Sequence, residues 1–176
     1  YAPNNANGYP DKAETDGVIG KVTYSWKPSE DIMYYVTWSE GFRPGLLNRP
    51  VGAGDENYSV KAVTDTDEVT NYEFGWKATL MDGSLRLNGS LFKSDITGLQ
   101  STIFDAAIVN LFFSDNAADA EILGLEGDFI YLTDNDWVLS GAFSMLDTEL
   151  TKRLALTNDI VEGSELAFAP GYQANV

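Results

Sequence analysis

Large apolar side chains recur at every second position in several segments of this chain, and no other feature constrains the fold as strongly. In YEFGWKATL, for example, Tyr72, Phe74 and Trp76 alternate with Glu73 and Lys77. Successive side chains of a β-strand point to opposite faces, so this period predicts strands with one apolar and one polar face. The pattern predicts an all-β chain of about seven strands, at 20–26, 34–39, 71–80, 85–91, 123–131, 139–145 and from about Glu165 to the end.

Short and long connections alternate along the chain. The short ones carry the Pro, Gly, Asp and Asn residues of tight turns and lie at 27–31, 81–84 and 133–136. The long ones are predicted at roughly 43–67, around 105–118 and roughly 150–164, and residues 1–16 would be the tail of another. In an antiparallel up-and-down meander, all short turns then lie at one edge and all long loops at the other. Outer-membrane barrels have this asymmetry, with short periplasmic turns and long extracellular loops.

The two faces of the predicted strands favour the wall of a transmembrane β-barrel. Trp26 and Trp137 lie beside short turns and Trp38 lies towards a long loop, and amphipathic rings prefer a membrane–water interface. The segment DITGLQSTIF, at 95–104, predicts a strand longer than the bilayer needs that projects outward. The polar faces carry mid-strand charges that suit a wet lumen, and the lumen-facing polar residues are predicted to be Glu73, Lys77, Arg86, Asn88, Glu126 and Asp128. A soluble secreted β-sandwich that binds carbohydrate is the alternative, because its strands alternate in the same way.

Charge and missing residue types exclude several classes of function. The chain has 11 Lys and Arg against 27 Asp and Glu, a net charge of −16, so it should repel nucleic acid. It has no cysteine and no histidine. Disulfides, cysteine metal sites, thiol nucleophiles and histidine-dependent catalysis are therefore absent. No apolar run is long enough for a transmembrane helix.

Carboxylates are the remaining candidates for chemistry. The acidic clusters at 65–68, 115–119 and 133–136 could ligate Ca²⁺ through oxygen, but none matches an EF-hand loop, and solvated loop acids are the favoured interpretation. Glu126 and Asp128 share one strand face, where acid–base catalysis is conceivable. Pairing with Lys77 or Arg86 across strands, or exposure to water, is favoured instead. The sequence thus predicts no enzyme, no metal and no cofactor.

Four segments, in order, resemble TonB-dependent outer-membrane receptors. YYVTWSEGFRPGLLN resembles a strand that ends in the family's Gly-Phe-Arg-Pro-Gly pattern, and EVTNYEFGWKATLMDGSLRLNGSLFKSDITGLQ resembles its Tyr-Glu-x-Gly hairpin. NAADAEILGLEGDF and GSELAFAPGYQANV resemble its Gly-Leu-Glu strand and its Ala-Pro strand start. The family barrel has about 22 strands around a plug domain. The resemblance therefore implies that 1–176 is a partial barrel domain from the C-terminal half, with 1–16 as a loop tail and nothing resembling the plug or the TonB box.

The resemblance also implies a function. Such receptors lie in the outer membrane of Gram-negative bacteria and take up scarce nutrients such as iron–siderophore complexes, cobalamin or oligosaccharides. The implied partners are outer-membrane lipid, the rest of the barrel and its plug, the TonB complex and a small-molecule nutrient. A small passive porin is a further alternative. Ligand contact at the outer rim is predicted for Phe42, Arg43, Asn48, Arg49, Gln100 and Phe104, although for Arg43 a role in bracing the loop, through carbonyls and acids such as Glu40, is favoured. Lys93, on the predicted lipid face, would mark the membrane boundary with its ammonium among the headgroups.

Overall fold

A computed structural model describes residues 10–49, 59–106, 108–155, 157 and 160–176, without the side chains of 109–111. These residues form one sheet of seven strands in sequential order, and every neighbouring pair is antiparallel. The strands are β1 Lys21–Trp26, β2 Ile32–Arg43, β3 Asp67–Leu80, β4 Leu85–Asp105, β5 Val109–Leu132, β6 Val138–Arg153 and β7 Tyr172–Asn175. A 3₁₀ turn at Met81–Gly83 joins β3 to β4. The predicted all-β meander of about seven strands is confirmed.

One predicted long connection is wrong. Residues around 105–118 belong mostly to β4 and β5, which are 21 and 24 residues long, with β4 ending at Asp105 and β5 beginning at Val109. A long loop was predicted for this region. Instead, Asp119 accepts a hydrogen bond from the Gly98 amide at 2.8 Å, while Ile103 and Phe113 pair across the strands and are buried. The extension of β4 through 95–104 is confirmed, and we call the projecting part, residues 97–118, the β4–β5 hairpin.

The last strand begins later than predicted. β7 starts at Tyr172 rather than near Glu165, and the preceding connection runs through 154–171. Leu166 donates its amide to Thr148 Oγ1 at 3.0 Å instead of joining a ladder. Phe168 has a φ of +62°, and Pro170 has no amide to donate. This segment therefore turns before the chain becomes extended.

The strand register separates an apolar face from a polar one. Val36 lies opposite Phe74, Phe74 opposite Leu91, and Leu91 opposite Leu125, which in turn lies opposite Met145. Many side chains of this apolar face are exposed on the isolated sheet. At its short-turn end the ring of Trp26 stacks on that of Tyr34, and the ring of Tyr34 on that of Phe74, with centroids 5.9 and 6.1 Å apart. Exposed apolar residues flanked by rings are typical of a wall that faces lipid.

The buried apolar residues of the described chain cluster at the long-loop end, not behind the sheet. Ile103 and Phe113 of the hairpin pack with residues that follow β6, and the cluster consists of Ile103, Ile108, Phe113, Ala117, Ala118, Ala155 and Ile160. Val60 and Leu150 pack against it. Within the described ranges there is no helix long and apolar enough to cross a membrane. The long-loop end thus has its own small core.

Candidate functional site

The connection between β2 and β3 is fastened to the β4–β5 hairpin. We call residues 44–66 the β2–β3 loop, of which 44–49 and 59–66 are described. Its two arms pair with each other, since Thr64 donates its amide to the Leu46 carbonyl at 2.9 Å and Asn48 donates to Ala62 at 2.9 Å. Gly45 permits this close approach, because a Cβ there would lie 2.0 Å from the Thr64 carbonyl oxygen. The two described arms of the loop therefore leave the sheet as a paired unit.

An ion pair closes the base of this loop. Arg43, the last residue of β2, donates from Nε to the two carboxylate oxygens of Asp67 at 3.0 and 2.9 Å, and its Nη2 also contacts the carboxylate. The Gln100 amide donates to Asp67 Oδ2 at 3.1 Å. Burial alone would raise the pKa of Asp67, but the hydrogen bonds from Arg43 and Gln100 outweigh it and lower that pKa. The predicted brace by Arg43 is therefore present, although its acid is Asp67, while Glu40 accepts from the Gly20 amide instead.

Two amide side chains of the hairpin hold the second arm of the loop. Asn116 Nδ2 donates to the carbonyls of Gly98 at 2.7 Å and Asp65 at 3.0 Å, and Asn116 Oδ1 accepts from the Asp65 amide at 2.8 Å. Gln100 Nε2 donates to the carbonyls of Pro44 and Asp65, each at 3.1 Å. Because these groups are buried, losing one would leave backbone groups without partners.

Asn48 holds the first arm against the outer part of β5. Its Nδ2 donates to the Ser114 carbonyl at 2.7 Å, and its Oδ1 accepts from the Ser114 amide at 2.7 Å. Through these two bonds the side-chain amide of Asn48 takes the place that the backbone of a neighbouring strand would have beside Ser114. A third bond joins Nδ2 to the Lys61 carbonyl at 2.7 Å. Loop and hairpin are thus joined at Arg43, Asn48, Gln100 and Asn116, which we call the polar brace together with Asp67.

The six residues predicted to contact ligand at the rim differ in their exposure and contacts. Asn48 and Gln100 are only 7% and 8% exposed, and their side chains bond within the polar brace. Phe42 is partly exposed, with its ring against Gly17. Arg49 and Phe104 are exposed. Ligand contact by these residues remains a prediction. Asp67 and Asn116 lie in the clusters at 65–68 and 115–119 that the sequence indicated as solvated loop residues, and nothing local indicated that they hold the loop to the hairpin.

The predicted lumen residues share one face but do not form the expected ion pairs. Glu126 accepts from Ser90 Oγ at 3.2 Å, and Asp128 accepts from Asn88 Nδ2 at 2.9 Å. Glu73 accepts from the Tyr35 hydroxyl at 2.6 Å. Within the described ranges neither Lys77 nor Arg86 forms a salt bridge, because the register places Asn88 opposite Asp128 and Lys77 opposite Asn88. The result is a row of hydrogen-bonded carboxylates along the polar face.

On the apolar face, charged residues first appear at the level of Lys93. Lys93 Nζ lies 3.1 Å from Asp95 Oδ1 and 2.8 Å from Glu121 Oε2. Asp95, Glu121 and Glu149 lie side by side in the register, at the next position outward on this face, two residues beyond the Lys93–Leu123 pair. Between the level of Lys93 and the short turns, this face is apolar. This change from apolar to charged residues gives the face a defined upper boundary.

Comparisons with known proteins agree with this geometry. A family model described as TonB dependent receptor-like, beta-barrel matches residues 1–176. A probable TonB-dependent siderophore receptor PiuA from Acinetobacter baumannii is 28% identical over 154 residues, which are 86% of this chain and 20% of that protein. This chain therefore spans about a fifth of the length of that relative.

Solved structures show the same fold. The ferric yersiniabactin uptake receptor FyuA from Yersinia pestis superposes with a TM-score of 0.66 at 19% identity, over 89% of this chain and 22% of that one. The siderophore receptor PiuA from Acinetobacter baumannii gives 0.62 at 20% identity, over 88% and 22%. The ferric-catecholate import receptor Fiu from E. coli K12 gives 0.59 at 16% identity, over 86% and 20%. TonB-dependent receptors are transporters of the outer membrane rather than enzymes, and this chain belongs to their β-barrel family.

Proposed function

We propose that this chain forms part of the wall and outer rim of an outer-membrane transporter that takes up a ferric siderophore in a Gram-negative bacterium. The observation that carries the proposal is the seven-stranded meander, in which one face is apolar from the short turns to the level of Lys93 and the other face is polar. The siderophores and ferric chelates in the names of the relatives support this ligand class. Cobalamin and oligosaccharides, which the family also transports, have no such support.

The membrane position follows from the apolar face. Lipid would contact the band between the short turns and the level of Lys93, where Trp38 and Tyr72 lie in the same register line. The short turns would then face the periplasm, and the braced loop and hairpin would face the exterior. The charged residues beyond Lys93 would lie among headgroups and water, since charge is least costly near the interface.

The remaining partners follow from what the sheet leaves unpaired. Within the described ranges β1 and β7 each pair on one side only, and open strand edges in lipid cost several kcal/mol per unmet backbone group. We propose that further strands of the same barrel cover both edges. The polar face with Glu73, Glu126 and Asp128 would line the lumen around a plug domain, and the TonB complex would supply energy through that plug.

Uptake of iron by cells tests this function. The gene that encodes this chain is deleted in its host, and uptake of radiolabelled ferric siderophore is compared between the deletion strain and one that carries the full-length gene. The proposal predicts uptake that depends on the gene and is abolished by a protonophore. Uptake that continues with the protonophore would favour a passive porin. Recovery of the full-length gene product as a detergent-free soluble monomer would favour a sandwich and contradict the proposal.

A further inference from the structure

Three cations lie together at the short-turn end of the polar face, in a cleft of about 250 Å³. Lys27 belongs to the turn between β1 and β2, while Lys77 lies on β3 and Arg86 on β4. All three residues are exposed and line the cleft. We call this cavity the basic cleft.

The strand register places the three cations around one point of the sheet. Lys77 lies opposite Met33 on one side and opposite Asn88 on the other. Arg86 is two residues from Asn88 along β4, so it is a diagonal neighbour of Lys77, at a separation of about 7–8 Å. Lys27 directly follows β1 and lies next to Met33 when the register is continued by one residue. A single small group in the cleft is therefore within reach of all three side chains.

These cations lack ion pairs although the chain is rich in acids. The sequence has 27 Asp and Glu against 11 Lys and Arg. Four other cations of the described residues do form ion pairs, Lys12, Arg43, Lys61 and Lys93. In the part of the chain that the structure describes, the charged groups of Lys27, Lys77 and Arg86 form neither a salt bridge nor a hydrogen bond. Glu30 and Asp31 also line the cleft, which leaves three cations against two carboxylates.

The size and the charge of the basic cleft together favour a small anionic group. Pockets for drug-sized ligands occupy about 300–1,000 Å³, so a cleft of about 250 Å³ is too small for such a ligand. The planar fork of an arginine matches the oxygens of a carboxylate or a phosphate, and a lysine binds the same groups as a point charge. One carboxylate or phosphate group therefore suits both the volume and the lining.

We propose that the basic cleft binds one oxyanion group, a carboxylate or a phosphate. The group comes either from a free solute or from an acidic side chain that the rest of the full-length protein places in the lumen. In the proposed barrel the cleft lies at the periplasmic end of the lumen. Binding of an oxyanion there does not depend on which nutrient is transported, so the inference goes beyond the proposed function.

The test uses the full-length gene product in detergent, with inorganic phosphate as the probe and phosphorus NMR as the measure of binding. Lys77→Gln and Arg86→Gln each remove a cation, whereas Lys77→Arg keeps the charge. Lys21→Gln is the matched control, because Lys21 is exposed on the same polar face but lies opposite Ser39, outside the cleft. The midpoint of thermal unfolding is measured for every protein at low and at high salt.

The two sources of the oxyanion predict different results. If the source is a free solute, the wild type binds phosphate, and each glutamine variant binds it about two- to fivefold more weakly, as expected for one exposed ion pair. If an acidic side chain of the protein fills the cleft, the wild type does not bind phosphate. Each glutamine variant then unfolds at a lower temperature than the wild type, at low salt only, because salt screens exposed charges. In both cases Lys77→Arg and Lys21→Gln should match the wild type.

Two results would overturn the inference. In the first, the glutamine variants match Lys21→Gln in both phosphate binding and unfolding midpoint. In the second, phosphate does not bind and the midpoints of the glutamine variants fall equally at low and high salt, which indicates a role in packing rather than in anion binding. Neither readout involves a siderophore, so failure of this inference is distinguishable from failure of the proposed uptake.

Discussion

Arg43 and Asp67 join the end of β2 to the start of β3 through a forked ion pair, and the carboxylate also accepts the amide of Gln100. The side chain of Asp67 is buried, whereas that of Arg43 is largely exposed. One carboxylate thus connects both ends of the β2–β3 loop to the β4–β5 hairpin. The loop is held to the hairpin at the point where both leave the sheet.

Replacing Asp67 by Asn should loosen the loop without unfolding the sheet. Breaking a fully buried ion pair costs about 3–5 kcal/mol. Because the freed Arg43 side chain can turn to water, we expect the free energy of local opening to fall by only about 1–2 kcal/mol. Hydrogen exchange of the Gln100 and Thr64 amides measures this loss. Lys61→Gln, which breaks an exposed pair with Asp65, is the control and should change exchange by less than about 0.5 kcal/mol. Equal effects of both variants would contradict a special role for Asp67.

The same carboxylate should make loop protection depend on acid pH. The pKa of Asp67 is lowered from 3.8 in the folded protein, so its stabilisation is complete above that value and is lost as pH falls through the folded pKa. Protection of the Gln100 amide, corrected for intrinsic exchange, should be constant at neutral pH and fall only below about pH 4. Asp67→Asn should remove this dependence. A decrease beginning near neutral pH would indicate a different group.

Asn116→Ala should release the second arm of the loop. The change removes the acceptor of the Asp65 amide and the donor to the Gly98 carbonyl, and each buried group without a partner costs about 1–3 kcal/mol. We expect exchange at Asp65 to accelerate by at least tenfold. Asn71→Ala removes one hydrogen bond from Ser94 on the sheet and should leave exchange at Asp65 unchanged. Slow exchange at Asp65 in Asn116→Ala would show that the arm is held elsewhere.

Gly45→Ala should disturb the pairing of the two loop arms. The added methyl group would meet the Thr64 carbonyl at 2.0 Å, so the backbone must shift, at a cost of about 1–3 kcal/mol. Cleavage by trypsin after Lys61, in the second arm of the loop, should become faster. At Gly171 a Cβ would lie 3.7 Å from the Leu146 carbonyl oxygen, an ordinary contact, so Gly171→Ala should be cleaved at the wild-type rate. Equal rates for all three proteins would show that the close approach at Gly45 is not required.

The strand interiors were predictable because their period is local. Tyr72, Phe74 and Trp76 reveal a two-faced strand from sequence alone, and the register later places them beside Trp38, Val36 and Tyr34. Where the short-range pattern holds, one strand specifies its own faces whatever its neighbours are. The shared polar face of Glu126 and Asp128 followed in the same way, but their partners did not, because those depend on the register of the next strand.

The outer rim was less predictable because its contacts join distant segments. Asn48 and Ser114 are 66 residues apart in the sequence, and nothing near Asn48 indicates that its amide completes a ladder. Asn116 and Asp119 lie in a cluster that was predicted to be solvated, yet their side chains bond to Gly98 and to the loop. The path of a loop decides these bonds, and a single sequence does not reveal that path.

The most direct test of the membrane wall uses the absence of cysteine in this chain. Single cysteines at Tyr72, Glu73, Phe74 and Lys77 are spin-labelled in the full-length gene product, with any other cysteine replaced, and the protein is reconstituted in a bilayer. Labels at Tyr72 and Phe74 should be accessible to oxygen, which concentrates in lipid, and protected from a water-soluble nickel complex. Labels at Glu73 and Lys77 should be less accessible to oxygen. Accessibility without this two-residue alternation would contradict the assignment of β3 to a lipid-facing barrel wall.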